Sequence, residues 1–329
     1  MKFTGFALAA ALCLAPVAQA DEAAHALSLK VPDGARVKVH VVRSDDKSGP
    51  GGKSQLVAAY DIVTGYTGNG EHRDAVAHLQ AMTVEKLIVN GAPAPAGFDL
   101  KGFGNMLFLA DNVAFDADAD LAPVRIRDMP ALKANNTNAM LGYMSSMGQA
   151  VSADMKAQVA QSVARSLDQM SPETAAEQYL PEAALLAVAH GVTLTVGKPQ
   201  TTTQAIATPF GPQVQGTVTL DLTKWDAAGD TASVTYARHP DPAALKAFVK
   251  ANMPNLLQMF GVTGGPAAAT TRVVDDMVIK RDTTCTYDVA ISTGLVRSAH
   301  CTVESGAQYK GAGQLEANSY DLSEALVTP

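Results

Sequence analysis

The stretch CTYDVAISTGLVRSAHC, from Cys285 to Cys301, carries the clearest fold signal in this sequence of 329 residues. Apolar and polar residues alternate on both sides of Ser-Thr-Gly, which is typical of two antiparallel strands joined by a tight turn. A three-residue loop ending in Gly294 favours such a hairpin, because glycine accepts the left-handed backbone at the last loop position. With Thr293 as the midpoint, Cys285 lies directly opposite Cys301.

Two cysteines in directly opposed positions of a hairpin are expected to form a disulfide. Opposed residues of antiparallel strands lie about 4.5 to 5.5 Å apart at Cα, within the range that a disulfide spans. The pair lacks the Cys-x-x-Cys spacing and the nearby helix start that would lower a thiol pKa, which disfavours a redox-active pair. We therefore predict a structural disulfide between Cys285 and Cys301, on the sheet face that also carries Tyr287 and Val289.

The first twenty residues, MKFTGFALAAALCLAPVAQA, have the pattern of a secretory signal peptide. Lys2 gives the positive start, an apolar stretch too short to span a bilayer follows, and Ala-Gln-Ala matches a small-residue cleavage site. We expect cleavage between Ala20 and Asp21 and a periplasmic or secreted mature protein. Cys13 would leave with the signal peptide, and the two remaining cysteines would meet an oxidising compartment.

Charge and hydropathy exclude several classes of partner. The chain carries 25 Lys and Arg against 32 Asp and Glu, a formal net charge of −7. This acidity disfavours nucleic acid and anionic lipid surfaces as partners. No apolar run after the signal peptide is long enough to cross a bilayer, so we expect a mature form that does not span the membrane. No cofactor-binding motif is completed, so no cofactor is expected.

The rest of the chain alternates between strand and helix patterns. In RVKVHVVR, residues 36–43, valine alternates with polar residues, which predicts a strand with Val37, Val39 and Val41 on one face. Further strands are predicted at 55–64, 84–89, 106–115, 124–126, 213–222, 231–237 and 272–281, and helices at 138–167 and after residues 171, 181 and 241. Short links favour antiparallel pairing, so the predicted class is α+β, an antiparallel sheet packed against amphipathic helices.

A methionine stripe marks the predicted helix over residues 138–167. Met140, Met144, Met147 and Met155 recur at helical spacing and therefore share one face. Two explanations of this face stay open. It is either an ordinary core packed on the sheet or the adaptable wall of an apolar pocket, because the thioether side chain is flexible and polarisable.

The chain has no internal repeat at a fixed period. After the signal peptide at 1–20, its length fits one large domain or two. If there are two parts, the expected junction lies at residues 135–137. It separates a β-rich N-terminal region, 21–135, from a helix-containing α+β region, 136–329, which ends in the disulfide-linked hairpin.

One cluster, HRDAVAH, contains residue types that bind zinc. On a strand, His72, Asp74 and His78 project from one face. Their spacing matches no specific metal motif, and further ligands would have to come from elsewhere in the fold. We therefore predict a polar sheet face here and no metal site.

Two other polar stretches match the motifs of ligand-binding loops only in part. SGPGGKS, residues 48–54, has Lys47 where a phosphate-binding loop needs glycine, and a strand pattern follows where that loop needs a helix. DADAD, residues 116–120, is followed by Leu121 where a calcium loop needs glycine. The first is predicted to be a hairpin loop, within the polar segment 44–54, and the second a solvated turn.

Three segments of the C-terminal half carry a family resemblance: VTLTVGKP (192–199), PFGPQVQGTVTLDL (209–222) and YDVAISTGLVRSAHC (287–301). They resemble uncharacterised exported bacterial proteins and, more distantly, the LolA/LolB-like half-barrel carriers of the periplasm. The resemblance implies a curved, half-barrel-like sheet wrapped around helices. It supplies no catalytic or binding residue, so its functional implication is an analogy.

Three functions stay open at this point. The first is a non-enzymatic periplasmic protein that binds or carries a lipid or another apolar ligand. The second is an envelope protein that binds a protein partner and no small ligand. The third is a hydrolase whose site is assembled from distant residues, although no catalytic motif is found.

Overall fold

Long alternating segments build one extended antiparallel sheet, and helices cover one of its faces. The structure, a computed structural model, describes residues 23–49, 52–68, 71–94, 98, 112–146, 150–168, 170–208, 211–259, 274–309 and 312–327. The signal-peptide prediction therefore lies outside the described residues. Within them the α+β class and the antiparallel pairing are confirmed, and the sheet is open at both ends.

The strands vary from two to seventeen residues. In chain order they are β1 (Ala24–Ala26), β2 (Arg36–Gly49), β3 (Gly52–Thr67), β4 (Arg73–Val89), β5 (Ala92–Pro93), β6 (Val113–Ala117), β7 (Pro123–Ile126), β8 (Thr193–Thr195), β9 (Gln200–Thr208), β10 (Gly211–Asp226), β11 (Thr231–Pro240), β12 (Val278–Ala290), β13 (Val296–Tyr309) and β14 (Ala312–Val327). The main sheet has the order β7-β6-β4-β3-β2-β14-β13-β12-β11-β10-β9, β5 pairs with β4, and β1 and β8 form a separate pair.

The predicted long helix is wrong, because the chain forms two helices there. The helices in the described residues are α1 (Met129–Ser146), α2 (Ala153–Asp168), α3 (Pro172–Tyr179), α4 (Pro181–Ala187) and α5 (Pro242–Met259). Ser152 ends the break, since its hydroxyl accepts a hydrogen bond from the Met155 amide at 3.2 Å and so caps α2. The methionine spacing continues through the break, which is why periodicity alone predicts one helix.

The predicted hairpin is confirmed in its register around the cysteines. Cys285 lies opposite Cys301, with 4.1 Å between their Cα atoms, and a disulfide joins them. Near the turn the prediction is wrong by one residue, because the connection spans 291–295 and Val289 lies opposite Val296. A bulge on β13 absorbs the extra residue.

Gly294 has the predicted left-handed backbone, with φ of 74°. A Cβ at this position would lie 2.5 Å from the Ser28 carbonyl oxygen, so the N-terminal segment requires glycine here. The amide of Lys30 donates to the Thr293 carbonyl oxygen at 2.8 Å. The turn is therefore fixed by tertiary contact as well as by its own sequence.

Other segments also differ from the sequence-based expectation. The predicted polar loop 44–54 is extended strand up to Gly49 and again from Gly52, and these two glycines are paired. The predicted strand 272–281 starts only at Val278, after a short helical turn at 274–275. Finally, β14 has no counterpart among the predicted strands.

This last strand pairs with β2 on one side and with β13 on the other. Strands from both sides of residue 135 consequently belong to one sheet. The domain division at that residue stays a prediction. One large core cluster on the helix-covered face includes Val37, Val39 and Val41 as expected, with at most 7% exposure.

Candidate functional site

We call the face of the main sheet that carries this core the covered face, and the other the open face. Residues two apart on a strand point to the same face. Tyr287 on the covered face donates a hydrogen bond from its hydroxyl to the Leu185 carbonyl oxygen of α4, at 2.8 Å. The disulfide lies beside it, with Cys285 and Cys301 at most 3% exposed.

The covered face of β12 passes from one apolar cluster to another. Cys285 and Tyr287 belong to the main core. Ile279, at the other end of the strand, packs with Phe248 and Val249 of α5 in a second, smaller cluster. Arg281 and Thr283 lie between the two clusters and are partly buried.

Register places further polar residues beside these two, and we call the set the polar band. Two rows of directly opposed residues cross the covered face. The polar members are Arg238 of β11, Arg281 and Thr283 of β12, Ser305 of β13, Glu316 and Asn318 of β14, and Asp45 and Lys47 of β2. The band thus separates the two apolar clusters with charged and hydrogen-bonding groups.

On the β2 side of the band the charges are balanced. Arg43, one position nearer the core, donates from Nε to Asp45 Oδ1 at 2.6 Å. Its guanidinium lies 5.3 Å from the centre of the Tyr320 ring. Lys47 Nζ lies 3.0 Å from Glu316 Oε1. In this half each basic side chain therefore has a carboxylate, as partly buried charges require.

On the β11–β12 side the charges are not balanced in this way. Within the described residues, neither Arg238 nor Arg281 forms an ion pair with a carboxylate. Burial lowers the pKa of the Arg281 guanidinium and the neighbouring Arg238 lowers it further, while Glu177 of α3 acts in the opposite direction. Nearer the middle of the band, on β14, Asn318 has a buried amide oxygen without a hydrogen-bond partner among the described residues. The β11–β12 end of the band therefore has two cationic side chains that no carboxylate of the described residues pairs with.

A second polar feature of the covered face fastens α4 to the sheet. The Tyr60 hydroxyl donates to Glu182, whose carboxyl pKa is raised by burial. His190, which follows α4, lies with Nε2 2.9 Å from Glu324 Oε2, and both side chains are at most 4% exposed. Burial disfavours the imidazolium, but Glu324 raises the pKa of His190 above its ordinary value.

These groups surround a cavity of about 20 Å³, lined by Tyr66, Glu182, His190 and Glu324 among others. That volume is enough for about one water molecule. The cluster can therefore hold a proton or a water, but it has no room for a substrate. We interpret it as the attachment of α4 and not as a ligand site.

The open face has a wide groove of about 480 Å³. Two histidines line it, and each lies directly opposite an aspartate: His40 Nδ1 is 2.8 Å from Asp61 Oδ1, and His300 Nδ1 is 2.7 Å from Asp321 Oδ1. A third pair, His239 and Asp282, lies on the same face at 2.9 Å. Their imidazole side chains are 51 to 59% exposed.

Ser323 lies opposite His40 on the side away from Asp61, so the strands place hydroxyl, imidazole and carboxylate in one row. Nucleophilic catalysis needs a hydrogen bond between the hydroxyl and the imidazole. Among the described residues no such bond joins Ser323 to His40. The row is consequently a polar surface of the sheet and does not by itself carry a catalytic assignment.

The methionine stripe is only partly described. Met140 and Met144 of α1 are partly buried and pack against the main core, and Met155 of α2 is partly buried. Met147 lies outside the described residues. Whether this face also lines a ligand pocket stays a prediction.

The predicted polar cluster of His72, Asp74 and His78, at and just before the start of β4, is distributed over separate contacts. Asp74 forms an ion pair with Arg127, with 2.7 Å between Asp74 Oδ1 and a terminal guanidinium nitrogen of Arg127. His72 lines an open depression together with Asp74, and His78 does not line it. Within the residues that the structure describes, no group of three His, Cys, Asp or Glu side chains is arranged to hold a metal ion.

Sequence reasoning did not single out Arg238 and Arg281. A signal for one of them exists: counting back by twos from Cys285 places Thr283 and Arg281 on the buried face. An arginine at an apolar position of a strand is unusual and indicates either an ion pair or a ligand. For Arg238 the signal appears only once β11 is paired with β12.

Comparison with protein-family models finds no match, and comparison with curated protein sequences finds none either. The described helices include none with the length and hydropathy of a membrane span.

Proposed function

We propose that the chain is an exported, non-enzymatic binding protein that holds an apolar ligand between the covered face of the sheet and the helices. The observation that carries the proposal is the interruption of the core at the polar band. Val303, Ile279 and Phe248 border the band and are only partly buried. A ligand that covered them would remove apolar surface from water, at about 25 cal/mol per Å².

Three further features support the proposal. The signal-peptide pattern and the Cys285–Cys301 disulfide both fit an oxidising periplasmic or extracellular compartment. The partly buried Met140 and Met144 provide flexible apolar contacts on the same face. The proposal includes the half-barrel curvature that the resemblance implies, because a curved sheet leaves room for a ligand between its concave face and the helices packed on it.

Displacement of a fluorescent long-chain fatty acid tests the proposal. Protein exported to the periplasm and stripped of lipid should bind the probe at micromolar concentration, and native mass spectrometry before stripping should show a bound lipid. Val303→Gln should weaken binding, because it places an amide on the apolar border of the band. Thr302→Gln is the matched control, since Thr302 is the neighbouring residue on the open face and should leave binding unchanged.

The alternatives predict different outcomes. An envelope protein that binds only a protein partner should bind no probe and should co-purify with that partner. A hydrolase should turn over ester substrates at a rate that His40→Ala abolishes. Absence of probe binding together with no bound lipid would reject the proposal.

A further inference from the structure

The geometry points to an anion-binding site at the β11–β12 end of the polar band, and we propose that Arg238 and Arg281 bind the carboxylate or phosphate headgroup of the ligand. This inference rests on the proposed function and specifies the ligand as an amphipathic anion. It assigns recognition to two residues that no sequence motif indicates.

The two guanidinium groups are placed together by strand register. Arg238 is opposite Thr283, and Arg281 is two residues from Thr283 on the same face. Diagonal neighbours of this kind on paired strands lie about 7 to 8 Å apart, a distance that two arginine side chains can span. At this spacing the Arg238 charge lowers the pKa of the Arg281 guanidinium, as one nearby cation does to another.

Such a pair is costly without a counter-charge. Two like charges in a partly buried setting repel each other and lose hydration, so buried cations in proteins are ordinarily paired. Here the described residues contribute Glu177 nearby but no carboxylate within ion-pair distance of either arginine. The contrast with Arg43 and Lys47, which both have carboxylate partners on the same face, indicates a missing anion.

The surrounding groups fit a headgroup attached to a chain. Arginine presents a planar fork of donors that matches carboxylate and phosphate oxygens. The Arg238 guanidinium also lies close to the hydroxyl of Tyr236, two residues away on the same face. Apolar side chains border the pair on both sides, Tyr236 and Val303 in the main core and Ile279 with α5. An anion with an aliphatic tail would thus meet charge and apolar surface together.

The location separates this site from the rest of an acidic protein. The whole chain has a formal net charge of −7, and a free anion near its outer surface is repelled on average. A cationic pair on the covered face therefore favours a ligand that enters between sheet and helices. It also disfavours neutral lipids in competition with acidic ones.

Three probes of equal chain length test the inference: dodecanol, dodecanoate and dodecyl phosphate. Wild-type protein should bind at least one of the two anions about tenfold or more tightly than dodecanol, a difference typical of one charge-assisted contact. Arg238→Gln and Arg281→Gln should each reduce that preference several-fold and leave dodecanol affinity within about twofold. Which anion binds more tightly distinguishes a fatty-acid carboxylate from a lipid phosphate.

Controls separate loss of binding from loss of fold. Arg125→Gln removes an exposed arginine on β7 and should change none of the three affinities. Arg281→Lys keeps the charge and should retain part of the preference. If dodecanol binds as tightly as both anions, the headgroup inference is wrong and the proposed function stands. If no probe binds, the proposed function fails as well.

Discussion

Strand β14 contributes a carboxylate–imidazole pair on each of its two faces, and burial decides how much each pair stabilises the fold. On the covered face Glu324 contacts His190, and both side chains are at most 4% exposed. On the open face Asp321 contacts His300, and both are about 60% exposed. The separations are similar, 2.9 and 2.7 Å. The chemistry is therefore the same, and only the surroundings decide what each pair contributes.

Solvent explains the difference. Water screens the exposed pair and hydrates either partner when the other is lost, so surface pairs contribute about 0 to 1 kcal/mol. The buried pair has no such replacement, because removal of one partner leaves a charge in the core. By the same rule, the partly buried and unpaired Arg238 and Arg281 indicate a bound anion. The three exposed His–Asp pairs on the open face indicate no ligand, because water hydrates them.

The largest expected effect comes from breaking the buried pair. Glu324→Gln should lower the free energy of unfolding by about 3 to 5 kcal/mol, because it leaves His190 without its counter-charge. Asp321→Asn, three residues away on the open face, is the matched control and should cost less than about 1 kcal/mol. Urea denaturation of both variants near pH 6 measures the difference. Equal losses would show that burial does not separate the two faces.

The disulfide extends the comparison to β12 and β13. Replacing both Cys285 and Cys301 by alanine should lower the free energy of unfolding by about 2 to 4 kcal/mol, through a less constrained unfolded chain. Thr284 and Thr302 form the adjacent opposed pair on the open face. Their double replacement by alanine should cost about 1 kcal/mol or less. A disulfide variant as stable as the threonine variant under oxidising conditions would contradict a structural role.

The smallest expected effect is the pH dependence of the buried pair. The folded-state pKa of His190 is raised above its ordinary value of 6.5. Its contribution is therefore fully present below about pH 6.5 and is lost as the pH rises through the raised pKa. The free energy of unfolding should therefore fall as the pH rises above 6.5, and His190→Gln should flatten this slope.

How far the sequence predicts each strand depends on the face that the strand presents to the core. In β2 the valines at 37, 39 and 41 alternate with polar residues, and this alternation predicts the strand. In β14 the covered positions include Glu316, Asn318 and Glu324, so the period-two pattern disappears although the strand is central. The extensions of β2 and β3 through residues 44–54 were missed for the same reason, because their covered face is polar there.

The helical region departs from its prediction for a different reason. Methionine spacing does not reveal a break between two helices when the methionines stay in step across it. Both α1 and α2 have partly buried methionines, so the pattern continues from one helix to the next. Ser152 and Asp154 are the local signals of a new helix start, and they identify the second helix when read as a cap and a first-turn acid.

By itself the sequence determined the α+β class, the antiparallel pairing and the partner of each hairpin cysteine, because these follow from local periodicity and turn chemistry. Only the tertiary structure decided that β14 joins β2 to β13, that His190 meets Glu324 across 134 residues, and that Arg238 lies beside Arg281. These contacts depend on strand order in space. Residues far apart in the chain become neighbours through pairing that no local pattern encodes, and the candidate site is made of such neighbours.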